Sequence, residues 1–146
     1  MTRVLGRGEG EKRYSARGSV MFFKALAELD GGDFSLMERT LPPAGRRPPP
    51  HRHTNCSEAY FVLDGRVSVV VEGEELTVGP EGFVLVPRGT AHTFGNAGDE
   101  EARLLVLHAP AMDAYFADLH ALWNRDDIPS PEEERALMAR FGMEPA

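Results

Sequence analysis

The chain has 146 residues, 42% of them apolar and 27% charged, which is the size and make-up of one globular domain with its own core. A formal charge of −7 excludes the basic surface that non-specific binding to nucleic acid or to an anionic membrane requires. The single cysteine, Cys56, excludes an intrachain disulfide, and no apolar run approaches the ~20 residues of a bilayer span.

Residues 1–18 are polar and glycine-bearing and read as an N-terminal arm; they lack the apolar core of a signal peptide, so the expected location is cytoplasmic. "SVMFFKALAEL" and "DFSLMERTL" read as two strands joined through "DGGD". "PPAGRRPPP" then carries five prolines in nine residues, which excludes a helix or an internal strand and predicts a stiff loop that delivers the chain to His51. Its arginines read as a solvated loop.

Beyond that loop, "EAYFVL", "RVSVVVE", "EELTVG", "GFVLVP", "AHTFGN" and "ARLLVLH" are short β-branched or aromatic runs. The turn-formers "DG", "EGE", "GPEG", "PRG" and "NAGDE" separate them, a pattern that predicts a β-sandwich or closed barrel over residues 19–109. The period changes at residue 110. Met112, Phe116, Leu119 and Trp123 recur at helical spacing, an apolar stripe expected to serve core or dimer packing, with a lid over the barrel as the alternative. A second helix begins at Ser130 as N-cap, with Pro131 at its first turn, Glu133 closing a capping box and Gly142 as a stop. Residues 110–146 are therefore a helical extension.

The chemistry gathers in "HRHTNCSEAYFVLDG". Side chains on a strand repeat every two residues, so His51 and His53 face the same way, with α-carbons ~6.5–7 Å apart. Glu58 opens an apolar strand, where a lone carboxylate would be costly to bury; a cation held jointly with the histidines removes that cost. In "PRGTAHTFGN", a tight turn at Pro87 and Gly89 ends one strand, and His92 enters the next as a fourth candidate ligand.

This spacing resembles the cupin family. Its first motif matches Gly45, His51, His53, Glu58 and Gly65, and its second matches Pro87, Gly89, His92 and Asn96. Glu81 and Gly82 depart from the family's Gly-Asp pair, a changed turn that touches no ligand position. The resemblance covers roughly residues 19–108 and implies a small all-β double-stranded β-helix (jelly-roll) barrel. It further implies one divalent transition metal on His51, His53, Glu58 and His92, and a homodimer. The flanking segments "TLPPAG", "PPPHRHT" and "VPRGTAHTF" resemble single-domain cupins of the quercetin 2,3-dioxygenase-like kind.

Other residues are expected at the site's margin. Tyr60, Phe83 and Phe94 are candidate walls of a substrate pocket, and His108 a candidate at its mouth. Cys56 is expected to face solvent from a turn, and His120 to lie on the surface. Three imidazoles and a carboxylate suit iron, nickel, manganese, cobalt, copper or zinc and leave a position open for water, dioxygen or substrate. Three functions fit. The first is a metal-dependent dioxygenase of a small enol, phenol or flavonol-like substrate, with Glu58 moving the proton. The second is a non-oxidative isomerase, cyclase or lyase at the same centre. The third is a metal-bearing binding module without turnover.

Overall fold

The computed structural model describes residues 2–146. In chain order the elements are β1 (Lys12–Ala16), β2 (Ser19–Ala25), α1 (Ala27–Asp30), β3 (Ser35–Leu41), β4 (His51–His53), β5 (Ser57–Asp64) and β6 (Val67–Val71). There follow β7 (Glu74–Val78), β8 (Phe83–Val86), β9 (His92–Asn96), β10 (Ala102–Ala109), α2 (Asp113–Trp123), α3 (Pro131–Arg140) and β11 (Met143–Pro145). One sheet runs β1-β2-β3-β10-β5-β8 and the other β11-β4-β9-β6-β7. All pairings are antiparallel. The two sheets close on a core of Met21, Phe23, Met37, Tyr60, Val62, Val67, Val69 and Leu104. This is the jelly-roll barrel that the family resemblance implies, with the C-terminal helical extension that the change of period predicts.

The turns follow from their residues. Glu72 and Gly73 both have positive φ, 49° and 81°, as the two-residue turn of a right-twisted hairpin requires. α3 starts as its sequence demands: the Ser130 hydroxyl accepts from Glu133 N, and the Glu133 carboxylate accepts from Ser130 N.

Three readings of the sequence need correction. The N-terminal arm is partly a strand, because β1 pairs with β2 from Lys12↔Phe23 to Ala16↔Ser19. The last three residues of "SVMFFKALAEL" fall in the single helical turn α1, which Asp30 stabilises by accepting from Leu26 N. "MEP" at residues 143–145 pairs with β4 and was not legible as a strand. Of the roles expected for the α2 stripe the structure shows core packing: it is covered by the chain's own barrel, with the Phe116 ring 5.6 Å from Phe23 and 5.5 Å from His108. It therefore gives no ground for a dimer.

The unusual turn before β8 explains itself. Gly82 N donates to Gly79 O at 2.9 Å, and a Cβ on Gly82 would lie 2.3 Å from Val78 Cγ1. Glu81 takes φ 69°, the left-handed region where a side chain costs ~1–2 kcal/mol. Replacing Glu81 by glycine should therefore raise the thermal midpoint by about 2–4 °C, the shift that ~1 kcal/mol produces in a chain of this length. Gly82→Ala should lower it by a comparable amount or more, since overpacking costs ~1–3 kcal/mol. Differential scanning calorimetry of the two variants checks both signs.

Candidate metal centre

Both sheets contribute to the site. In β4 the burial alternates, so His51 and His53 point inward while Arg52 points out. β9 sets His92 directly opposite His51. From the other sheet β5 presents Glu58, with His108 of β10 directly opposite it. Each of these five side chains is buried.

β4 is only three residues long and meets β9 at one register pair, so it depends on other supports. β11 pairs along its whole length, Met143↔His53 to Pro145↔His51. Gly89 N donates to His53 O at 2.8 Å, and Thr54 N donates to Gly142 O at 2.9 Å. The C-terminal extension thus holds the histidine strand in place.

His51, His53, Glu58 and His92 can each bring one donor atom within 4.8 Å of all the others. The ring orientations are fixed from behind: Nδ1 of His51 lies 2.7 Å from Pro49 O and Nδ1 of His92 2.9 Å from Thr90 O. Those nitrogens must be the protonated ones, because a carbonyl oxygen only accepts, and the Nε2 lone pairs then face inward. Glu58 Oε2 lies 2.8 Å from His53 Nε2 and 3.4 Å from His92 Nε2. Neither Nε2 makes a hydrogen bond, although both are buried.

Burial pushes the His51 pKa down to about 3, helped by the neighbouring His92, so this ring is neutral. His53 is also pushed down, chiefly by burial. For His92 burial acts downward but Glu58 outweighs it and raises the pKa. Burial pushes Glu58 up, yet His108 and the His53 and His92 rings win and hold its carboxyl well below the usual range. A buried carboxylate facing orphaned imidazole lone pairs is the donor set that a divalent first-row cation fits, and the cluster could hold one.

The residues expected at the margin divide. His108 lines the cavity beside the cluster, and its Nε2 lies 2.9 Å from Glu58 Oε2. Its Nδ1 is buried without a partner. Phe94 lines the cavity. Tyr60 lies fully buried beneath Phe94, ring centroids 5.0 Å apart, and does not reach the cavity. Phe83 is a correction: it pairs with Phe61 on the outer face and is 62% exposed, because the alternation in β8 turns Val84 and Val86 inward instead.

Cys56 is a second correction. It is buried, its Sγ is 3.2 Å from Met112 Sδ, and burial pushes its thiol up to about 12. His120 is half-buried and accepts from Ser15 N at 3.0 Å, which ties α2 to β1.

Tyr115 and Phe116 of α2 and Met143 of β11 close the cavity. Its empty volume is about 310 Å³ including its open mouth. Two arginines complete the lining, Arg17 and Arg39. Arg39 was legible in principle, since it shares the inward alternation of Met37 and Leu41 in "LMERTL".

Comparison with known proteins agrees with this architecture. The family described as "Cupin domain" matches residues 37–108. Polyketide synthase CurC of Streptomyces cyaneus is 30% identical over 120 residues, 77% of this chain and 77% of that protein. Quercetin 2,3-dioxygenase of Bacillus subtilis (strain 168) is 26% identical over 91 residues, 62% of this chain but only 26% of the dioxygenase. Among solved structures, the polyketide cyclase RemF from Streptomyces resistomycificus aligns with a TM-score of 0.63 and 27% identity, over 75% of this chain and 80% of that one.

The support of β4 by β11 is open to test. A chain ending at Phe141 should keep its strand signal by circular dichroism but lose ~10–100-fold in metal affinity, the usual cost of removing an outer support. Competition with a chelating dye measures it, and an unchanged affinity would show that β11 is dispensable to the site.

Proposed function

The chain belongs to the cupin family, and from that premise we propose that it is a metal-dependent enzyme. Its substrate would be a small poly-carbonyl or phenolic molecule, and its reaction a non-oxidative ring closure of the polyketide-cyclase kind. The observation that carries the metal reading is the buried convergence of Glu58 with the unbonded Nε2 atoms of His53 and His92. The choice of cyclisation is supported by the share of chain covered: the polyketide synthase matches over 77% of both proteins, the dioxygenase over 26% of its own length.

His51, His53, Glu58 and His92 would hold the ion, whose contribution is to polarise a substrate oxygen as a Lewis acid. His108 supplies the proton transfer. With Nε2–H donating to Glu58 Oε2, its buried Nδ1 keeps a lone pair and no partner, the arrangement of a general base oriented by a carboxylate. It would take a proton from a carbon flanked by two carbonyls. That carbon then attacks a further carbonyl of the same chain, forming the ring bond and an alkoxide that takes the proton back; loss of the carbon's second proton together with the resulting hydroxyl breaks the C–O bond and leaves a ring double bond and one water. Phe94, Val106 and Phe116 keep solvent from the reacting carbons. Glu58 holds and polarises His108.

A second reading, oxygenation of the same class of substrate, is favoured by the likeness to quercetin 2,3-dioxygenase. Oxygen separates the two. Incubation with a linear aryl 1,3,5,7-tetraketone under argon should yield a product lighter by one water, at the same rate as in air. Strict dependence on oxygen would instead identify a dioxygenase.

His108→Phe should retain metal and fold, because the ring already packs on Phe116, yet lose ~10²–10⁴-fold in turnover. Glu58→Gln should keep part of its metal and lose ~10²-fold or more per metal bound. Rates normalised to elemental analysis check both, and wild-type turnover in His108→Phe would remove the proposed base.

A further inference from the structure

Arg39 has a feature that sets it apart from the other enclosed arginines. Arg3 bonds Asp30, Arg103 bonds Asp64, and Arg17 bonds Glu134. Arg39 is 3% exposed and, among the described residues, no carboxylate oxygen lies within 4.0 Å of it. Its one hydrogen bond runs from Nε to Ser19 Oγ at 2.8 Å, and its guanidinium lies 5.0 Å from the centre of the Phe94 ring. Among the described residues its four Nη–H donors have no acceptor. Burial, then the charge of Arg17, push its pKa down to about 10, which leaves it protonated at neutral pH.

An enclosed cation without a counter-ion is costly, and proteins retain one where a ligand supplies the missing charge. Arg39 lines the same cavity as His51, Glu58 and His108. With the ion in place the cavity wall carries an excess of positive charge: a divalent metal and Arg39 against Glu58, since Arg17 is neutralised by Glu134. Apolar Phe94, Val106 and Phe116 exclude water and strengthen any charge-assisted hydrogen bond made there.

We infer that the cavity contains an anion subsite in which the guanidinium of Arg39 receives a carboxylate or ionised enol oxygen of the substrate. This deepens the proposed function and rests on it only for what happens at the substrate's other end. It assigns Arg39 the selection of acidic over neutral substrates, a task that planar, multi-donor guanidinium suits better than ammonium.

The test uses the protein as purified, with formate as probe because it is the smallest carboxylate, and formamide as its neutral analogue. Thermal midpoints are followed against ligand concentration at constant ionic strength. Formate should stabilise wild type saturably, with an affinity at least about 10-fold above that of formamide, the range of one charge-assisted hydrogen bond. Arg39→Gln should lose that preference without a change in metal content, and Arg39→Lys should recover part of it. If formate stabilises wild type no more than formamide, the subsite is refuted whatever the variants do. If Arg39→Gln keeps the wild-type formate affinity, the anion is bound elsewhere and the assignment to Arg39 is overturned. A protein that purifies without an ion from metal-replete medium yet shows Arg39-dependent formate binding would overturn the metal reading and leave the subsite standing.

Discussion

Everything at the centre of this molecule depends on one carboxylate buried among imidazoles. Taking an ion out of water still costs several kcal/mol after the surroundings relax, about the scale of a whole domain's stability of ~5–15 kcal/mol. Glu58 is held there with three histidine nitrogens within 3.4 Å of a single oxygen, and two of those nitrogens have no hydrogen bond of their own. Apolar contacts cannot compensate such a cluster. A cation can, because it replaces the repulsion of converging lone pairs with coordinate bonds.

The fold is arranged around that constraint. One sheet supplies His51, His53 and His92, and the other supplies Glu58 and His108, so the site forms only when the two inner faces meet. The short histidine strand would have little to hold it in a barrel that stopped at residue 109; β11 and the turn at Gly142 supply the missing pairings. α2 closes the cavity with Tyr115 and Phe116. The helical extension is therefore part of the site's construction as well as of the core.

How much of this could be read from the sequence follows from the physics of each signal. Period-two alternation and turn residues located the barrel strands closely, and the capping box located α3, because those signals are local. The ligand cluster was legible because the strand period puts His51 and His53 on one face and motif spacing brought in Glu58 and His92. Facing failed where alternation gave two apolar choices: Phe83 and Val84 are both hydrophobic, and the smaller residue is the one turned inward. Partners in space were invisible. Nothing in "MEP" announces a strand, and nothing near Cys56 announces that Met112 will cover it. His108 was placed at the pocket mouth, whereas its cross-strand pairing with Glu58 sets it against the carboxylate itself.

X-ray absorption at the metal edge of the protein as purified tests the central claim most directly. The account predicts about one first-row ion per chain, with nitrogen and oxygen donors at ~2.0–2.2 Å and the outer-shell scattering of imidazole rings. A protein purified from metal-replete medium with no bound ion, or an ion whose spectrum shows sulfur donors or no imidazole, would contradict it.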